Sequence, residues 1–330
     1  MIRYLSIDAG KADTKIAVRD NRTGEITTTK FPTKVLECLA GDAFENAFGI
    51  GPDSYRLSLD GKEYLVGSAV TEEMGQTTNQ NSKMDHFHKT AIYTAIGTQV
   101  NDGDSVYVAI GAPIKCCLDK EQCEDFKHYL FPDNIVEFTI NGIKKKITIS
   151  KISVFPESMG AAFLYPELFG GQVVGVIDIG GLNVNGSIYD NNKIVREQCF
   201  TAQFGRRVLV DEVKAEIERE NRTEYQTYEI EQFIRQGYIT NQDERMEEAS
   251  KGFIGEFVTR HIERIWDVCA RHHWNLQNMH LIFIGGGSVI LKNEIKKKYP
   301  KSVVADKPEY VNAIGFLKCM CRKEGVATDK

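Results

Sequence analysis

Two rhythms of apolar residues alternate along the chain. Near-continuous runs at YLSI (4–7), SVYVAIG (105–111), VIDI (176–179) and MHLIFIG (279–285) predict buried strands in sheets covered on both faces. Alternating segments, TKIAVRD (14–20), EITTTKF (25–31) and RLSLDGKEYLV (56–66), predict half-buried strands, the last folded back on itself at an Asp60-Gly61 turn. Helical spacing predicts helices over 89–97, 119–130, 158–169, 208–220, 228–237, about 244–273 and 292–299. The longest carries Phe253, Ile254, Phe257, Val258, Ile262, Ile265 and Val268 on one stripe, which reads as a core face.

Composition agrees with that mixture. With 330 residues, 42% hydrophobic and 26% charged, and only eight prolines, the chain reads as globular, and its length predicts two lobes rather than one core. A net charge of −5 argues against a surface built to coat DNA or RNA, because phosphate contacts need clustered Lys and Arg. The lysine runs at 144–146 and 296–298 read as the solvated ends of a hairpin and a helix. Eight cysteines include no CxxC pair, and Cys319 and Cys321 form a lone CxC, so all read as reduced packing residues. His86/His88 and His272/His273 read as lacking partners at metal-ligand spacing. No signal segment precedes the first strand, and no apolar run approaches the ~20 residues of a membrane-crossing helix. The expectation is a cytoplasmic protein free of the membrane.

Self-comparison reveals a doubled chain. Shifting IDAGKADTKIAV (7–18) by 170 places Ile7-Asp8 on Ile177-Asp178, Gly10 on Gly180, Lys15 on Asn185 and Asp20-Asn21 on Asp190-Asn191. Each copy predicts a buried strand, a glycine-bearing turn, an alternating strand (TKIAVRD or NGSIYDN) and a third strand (EITTTKF or KIVREQCF). Two stretches without duplicates, about 31–87 and about 206–245, read as subdomains inserted into two matching cores.

Two such turns, facing one another, would offer backbone N–H groups to one anion, and glycine lets the backbone come close. A polyphosphate fits. Asp8 and Asp178 then require a cation such as Mg²⁺ between carboxylate and phosphate, and Lys15 supplies a point charge. In FIGGGSVILKNEIKKKY (283–299), Gly285 to Gly287 between strand and helix read equally as a helix-entry loop or as a surface on which a nucleoside lies flat against the backbone.

The order of IDAGKADTKIAV, VFPESMGAAFL, VIDIGGLNVNGSIYD, LIFIGGGSVIL and YVNAIGFLKCM resembles the phosphate 1, connect 1, phosphate 2, adenosine and connect 2 motifs of the actin, Hsp70 and sugar-kinase superfamily. Within it, the length, the compact insertions and the PESMGAA form of connect 1 are most similar to the bacterial plasmid-segregating actins of the ParM type. The resemblance implies an α/β fold of duplicated, ribonuclease H-type domains in two lobes around a nucleotide cleft. Lobe I takes 1–156, with the insertion at about 31–87, and helix 311–324 packs back on it; lobe II takes 157–310, with the insertion at about 206–245. It makes Asp8 and Asp178 the organisers of Mg²⁺, acting through water, and Gly10, Lys11, Lys15, Gly180, Gly181, Leu182 and Asn183 the phosphate clamp. Glu157 takes the place of the residue that positions the attacking water; read without the resemblance, it is a carboxylate at the N-terminus of the helix expected over 158–169. Gly205 in QFGRR leads into the nucleoside-contacting helix, and Gly285, Gly286, Gly287 and Ser288 meet the nucleoside.

One departure stands out. The hydroxyl and acidic groups common after the glycines of phosphate 2 are replaced here by Leu182, Asn183, Val184 and Asn185. The function implied is an ATPase, with GTP as an alternative nucleotide, that forms head-to-tail filaments and moves plasmid DNA through an adaptor protein, without touching nucleic acid itself. A small-molecule kinase of the same superfamily is the competing reading. Phosphoryl transfer is mostly positioning and electrostatics in both, and Glu157 suits the orientation of water better than that of an acceptor hydroxyl.

Overall fold

The computed structural model describes residues 1–38, 51–71, 76–77, 84–241 and 244–328. Of the two inserted stretches, residues 39–50, 72–75, 78–83 and 242–243 therefore lie outside the described residues. The chain divides into two units, one of Met1–Leu164 with Asn312–Lys330 and the other of Tyr165–Val311.

In the first unit the strands are β1 (Ile2–Ala9), β2 (Asp13–Arg19), β3 (Ile26–Pro32), β4 (Lys34–Cys38), β5 (Ser54–Leu59), β6 (Lys62–Gly67), β7 (Gln76–Thr77), β8 (Ser105–Ala112), β9 (Ile135–Ile140) and β10 (Ile143–Pro156). They form one sheet in the order β3-β2-β1-β8-β10-β9-β5-β6-β4-β7. β1, β8 and β10 run parallel at its centre, where Leu5, Ile7, Val106, Val108 and Ile110 are fully buried. The β5–β6 hairpin turns at Asp60 and Gly61, both at positive φ, as its Asp-Gly pair predicts. Its strands extend the same sheet, because Leu57 and Ser58 of β5 pair with Ile140 and Thr139 of β9.

Each face of that sheet has a helix. Helix His86–Gln99 is nearly apolar through its middle, and Ala91, Ile92, Ala95 and Ile96 are buried against one face. Asp85 caps it, accepting from the His88 N–H at 2.8 Å, and its other oxygen meets His88 Nδ1 at 2.9 Å. His88 thus has an acidic partner one turn away that the ligand-spacing argument did not foresee. At the helix's other end Lys145, the middle residue of the first lysine run, donates to the carbonyls of Gly97 and Val100 at 2.7 and 2.5 Å, while Lys144 and Lys146 pair with Glu137 on the outer face. On the opposite face helix Val311–Lys323 buries Phe316, Leu317 and Met320 beside Ala17, Ala109 and Phe155. Its Gly315 passes so close to Gly160 that a Cβ there would lie 2.3 Å from the Gly160 carbonyl oxygen, and the Phe155 and Phe316 rings stack at 5.2 Å.

The second unit has β11 (Val173–Ile179), β12 (Val184–Asp190), β13 (Lys193–Ile194), β14 (Phe200–Ala202), β15 (Ile239–Asn241), β16 (Glu244–Met246), β17 (His280–Ile284) and β18 (Val303–Val304). Its main sheet runs β13-β12-β11-β17-β18, and β14 also pairs with β12. Helices Arg206–Asn221, Thr227–Gln236 and Glu247–Arg271 share a core with Ile177, Ile179 and Ile188. Ile254, Val258, Ile262, Ile265 and Val268 of the expected stripe are buried there, and Phe253 and Phe257 are partly buried.

Three expectations need correction. The helix expected over 158–169 is two short ones, Gly160–Leu164 and Pro166–Phe169, because Pro166 has no N–H to continue the first and disfavours helical backbone at Tyr165. The strand expected over 193–200 is interrupted by a 3₁₀ turn at Arg196–Gln198 and resumes as β14. The long helix starts at Glu247 rather than about 244, since β16 pairs with β15.

Candidate functional site

Each unit carries one strand-turn-strand built to the same plan. In the first, Asp8 lies directly opposite Lys15 in the antiparallel β1–β2 pairing, so the two side chains stand on one face of the sheet. The Gly10 N–H closes the turn on the Asp13 carbonyl at 3.1 Å. A Cβ on Gly10 would come within 2.9 Å of both that carbonyl oxygen and Lys15 Nζ, so glycine is what lets the ammonium lie over the turn. Asp8 is only 7% exposed, and on neighbouring β8 a Cβ at Gly111 would stand 3.2 Å from its carboxylate. Lys11, half-buried, sits at the tip of the turn.

Glu157 emerges at the same end of this sheet. β10 pairs in parallel with β8 up to Pro156 opposite Ala112, and the Glu157 N–H then donates to the Ala112 carbonyl at 2.9 Å. The next residue, Ser158, is fully buried at φ 70°, a backbone region that costs a non-glycine residue of order 1–3 kcal/mol and is typically tolerated where it sets the direction of a functional group. Asp8 and Glu157 therefore stand at the carboxyl ends of two parallel strands flanking β8, the end at which open α/β sheets bind ligands.

The second unit repeats the arrangement at the offset of 170. Asp178 pairs with Asn185 across β11 and β12, and the Gly180 N–H closes the turn on the Asn183 carbonyl at 2.8 Å. The turn's other carbonyls face helix Arg206–Asn221: Gly180 accepts from Arg206 N–H at 2.9 Å, Gly181 from Arg207 N–H at 2.8 Å and Leu182 from Gly205 N–H at 2.8 Å. Among the described residues, the N–H groups of Gly181, Leu182 and Asn183 have no hydrogen-bond acceptor in the protein. With its carbonyls tied back, this half-exposed turn presents donors outward, as an anion site requires.

The remaining predicted residues fall into two groups. Gly205 and Gly285 are drawn into the site's framework: a Cβ on Gly205 would lie 2.6 Å from the carbonyl oxygens of Gly180 and Gly181, and one on Gly285 would lie 2.3 Å from an Asp178 carboxylate oxygen. Gly286 is half-buried with Arg206 Nη1 nearby, 3.6 Å from a Cβ position. Gly287 and Ser288 turn inward instead. A Cβ on Gly287 would strike Ile179 at 2.3 Å, and the fully buried Ser288 hydroxyl donates to the Ile284 carbonyl at 2.6 Å, holding the end of β17.

Behind the Phe204–Gly205 segment lies a group that sequence reasoning missed. His261 is fully buried in the long helix, edge-on to Phe204 at 5.8 Å, and among the described residues neither ring nitrogen has a hydrogen-bond partner. Burial pushes its pKa down to about 4; Glu212 opposes this and Arg264 adds to it. As pH falls below the unfolded value of 6.5, the unfolded chain takes up a proton that the folded chain refuses, so stability declines until about pH 4 and then levels off. The loss attributable to His261 is about 3 kcal/mol at most. Urea unfolding at pH 7 and pH 5 should show a larger drop for the native chain than for His261→Phe, and equal drops would remove His261 as the cause.

Comparison with known proteins follows the same lines. Residues 6–160 match the family of actin-like proteins, N-terminal domain. The fold is similar to the Alp12 filament structure at 24% identity and a TM-score of 0.72, covering 98% of this chain and 99% of that one. It is similar to the ADP complex of an archaeal actin homologue at 16% identity and a TM-score of 0.75, covering 98% and 99%. A 15-stranded ParM filament from Clostridium botulinum matches at 18% identity and a TM-score of 0.71, covering 98% and 100%. No curated protein sequence matches the chain.

Proposed function

From an actin-like fold whose residues 6–160 match the actin-like N-terminal domain, we propose that this chain is a nucleoside triphosphatase that assembles into filaments. The observation that carries the reading is the repeated half-site: Asp8, Gly10 and Lys15 in one unit and Asp178, Gly180 and Asn185 in the other share both pairing register and turn closure. Each turn offers its donors to the phosphates of ATP or GTP, with Lys15 as the point charge in the first unit and Gly285 and Gly286 beside the nucleoside in the second. The ADP complex of one structural neighbour and the filaments of two others support this reading.

The residues fit a Mg²⁺ ion held loosely. Asp8 and Asp178 are each nearly buried against a glycine, and among the described residues no group of three or more His, Cys, Asp or Glu side chains gathers. Each carboxylate would then act through water, in keeping with the preference of Mg²⁺ for retained waters and phosphate oxygens. The ion supplies charge neutralisation of the triphosphate. Glu157, directed by the turn at Ser158, orients the attacking water and accepts its proton.

Assembly follows binding, and hydrolysis weakens the polymer, so that DNA cargo such as a plasmid is moved through an adaptor protein in the cytoplasm. The net charge of −5 supports an adaptor rather than direct DNA contact, and no helix of the described residues is long and apolar enough to cross a membrane. Light scattering and sedimentation with ATP, GTP and a non-hydrolysable analogue test the reading. Polymer should form with Mg²⁺ and triphosphate and decay as phosphate is released. No pelletable polymer over a range of salt and nucleotide, together with phosphate transfer to a small acceptor, would replace it with the kinase reading.

A further inference from the structure

The face of the first unit's sheet that carries Asp8 continues across the two strands beside it. β1 and β8 run parallel with Ile7 beside Ile110, and therefore Asp8 beside Gly111, while β8 and β10 run parallel with Gly111 beside Phe155. Neighbouring residues of paired strands project to the same side, so Lys15, Asp8, Gly111 and Phe155 make one row across four strands. Gly111 is the gap in that row, and two groups crowd the space a side chain would take. An Asp8 carboxylate oxygen lies 3.2 Å from its Cβ position, and Cε2 of the Phe316 ring, from helix Val311–Lys323, lies 3.0 Å from it. Both distances are below the 3.4–4 Å of an ordinary contact. Gly111 is not among the glycines at positive φ, so what it supplies is room rather than backbone freedom.

The same Phe316 ring stacks on Phe155 at 5.2 Å and an interplanar angle of 8°. Phe155 stands two residues before Glu157, whose N–H is tied to the carbonyl of Ala112, the residue after Gly111. One fully buried ring thus lies over the glycine on which the Asp8 carboxylate rests and against the strand end that delivers Glu157. We infer that Gly111 and Phe316 are positioning residues for the hydrolysis: the glycine opens a slot for the Asp8 carboxylate, and the ring closes it while bracing, through Phe155, the strand that carries Glu157. The inference rests on the nucleotide reading above. A phenyl ring suits this place because it is rigid and has no polar group to compete with a hydrated cation for the carboxylate. Close packing on all sides gives the ring little freedom to yield, so a change of one methyl group at either residue is transmitted to the carboxylate.

Three variants of the full chain test it: Gly111→Ala, which fills the slot, Phe316→Leu, which widens it, and the two together, in which the added methyl takes up part of the volume that leucine vacates. Affinity is read by titrating a fluorescent ATP analogue with and without Mg²⁺, turnover by single-turnover phosphate release, and stability by the melting midpoint. In each single variant the gain in affinity that Mg²⁺ brings should shrink by about three- to tenfold, and phosphate release at saturating nucleotide should slow by at least about tenfold, the scale of a small misplacement of a reacting group. Affinity without Mg²⁺ should stay native, and the double variant should recover most of both losses. Lower melting midpoints with Mg²⁺-dependent affinity and phosphate release unaltered would reduce both residues to packing, overturning the inference and leaving the nucleotide reading standing. A double variant no better than its components overturns it as well. Should Phe316→Leu fail to fold, Gly111→Ala decides by the same readouts, because its methyl meets the carboxylate directly. A native chain that binds no nucleotide overturns both the inference and the reading beneath it.

Discussion

Glu157→Ala should still bind triphosphate and still assemble, but release phosphate on the order of 10²- to 10⁴-fold more slowly, the range a lost general base commonly causes. Its filaments should accordingly outlast those of the native chain. The reason lies in how Glu157 is held. Its N–H is tied to Ala112 at the end of the central parallel strands, and its side chain emerges just before the Ser158 turn, so removing the carboxylate leaves the Gly10 and Gly180 turns untouched. The alternative role, a carboxylate favoured by a helix dipole, is weakened by geometry: the helix begins at Gly160, three residues on, has only five residues and is followed by Pro166. Dipole effects fade within the first turn and amount to about 0.3–1 kcal/mol, so that role predicts unchanged turnover. Time-resolved sedimentation beside a phosphate-release assay separates the two; native turnover in the variant would remove Glu157 from the chemistry.

Gly205→Ala should be the most damaging single-methyl change in the second unit's turn. Gly205 has φ −74°, which any residue accepts, so its need for glycine is one of space. The added methyl would sit 2.6 Å from two carbonyl oxygens and 2.7 Å from the Asn183 nitrogen, all backbone atoms that cannot swing aside. Helix Arg206–Asn221 and the turn must separate, breaking the bonds that tie the turn's carbonyls back and disordering its donors. Overpacking of this kind costs roughly 1–3 kcal/mol, and the expected result is both a lower melting midpoint and at least about a tenfold loss of triphosphate affinity. Gly255→Ala is the internal control. Nothing lies within 4 Å of its Cβ position in the long helix, so it should be neutral or stabilising by up to about 1 kcal/mol. Equal behaviour of the two variants would show that the close approach at Gly205 does not shape the site.

What the sequence alone determined is local and repeated. The 170-residue offset was legible because a strand, its turn and the returning strand are contiguous, and apolar period and turn chemistry set their pairing; Asp8 facing Lys15 and Asp178 facing Asn185 follow from that. The Asp60-Gly61 hairpin and most of the long helix's buried stripe were legible for the same reason. Tertiary structure decided whatever depends on neighbours distant in the chain. No local pattern shows that β5 will pair with β9 and carry its hairpin into the central sheet. Nor does one show that Thr201, in a three-residue strand after a 3₁₀ turn, will stand beside Asn185, since strands that short carry too few residues to reveal a period. The requirement for glycine at 205 and 315 arises from backbones that meet only after packing. His261 lost its ordinary titration because helices and Phe204 closed over it, and burial is a property of the assembled core rather than of the residue.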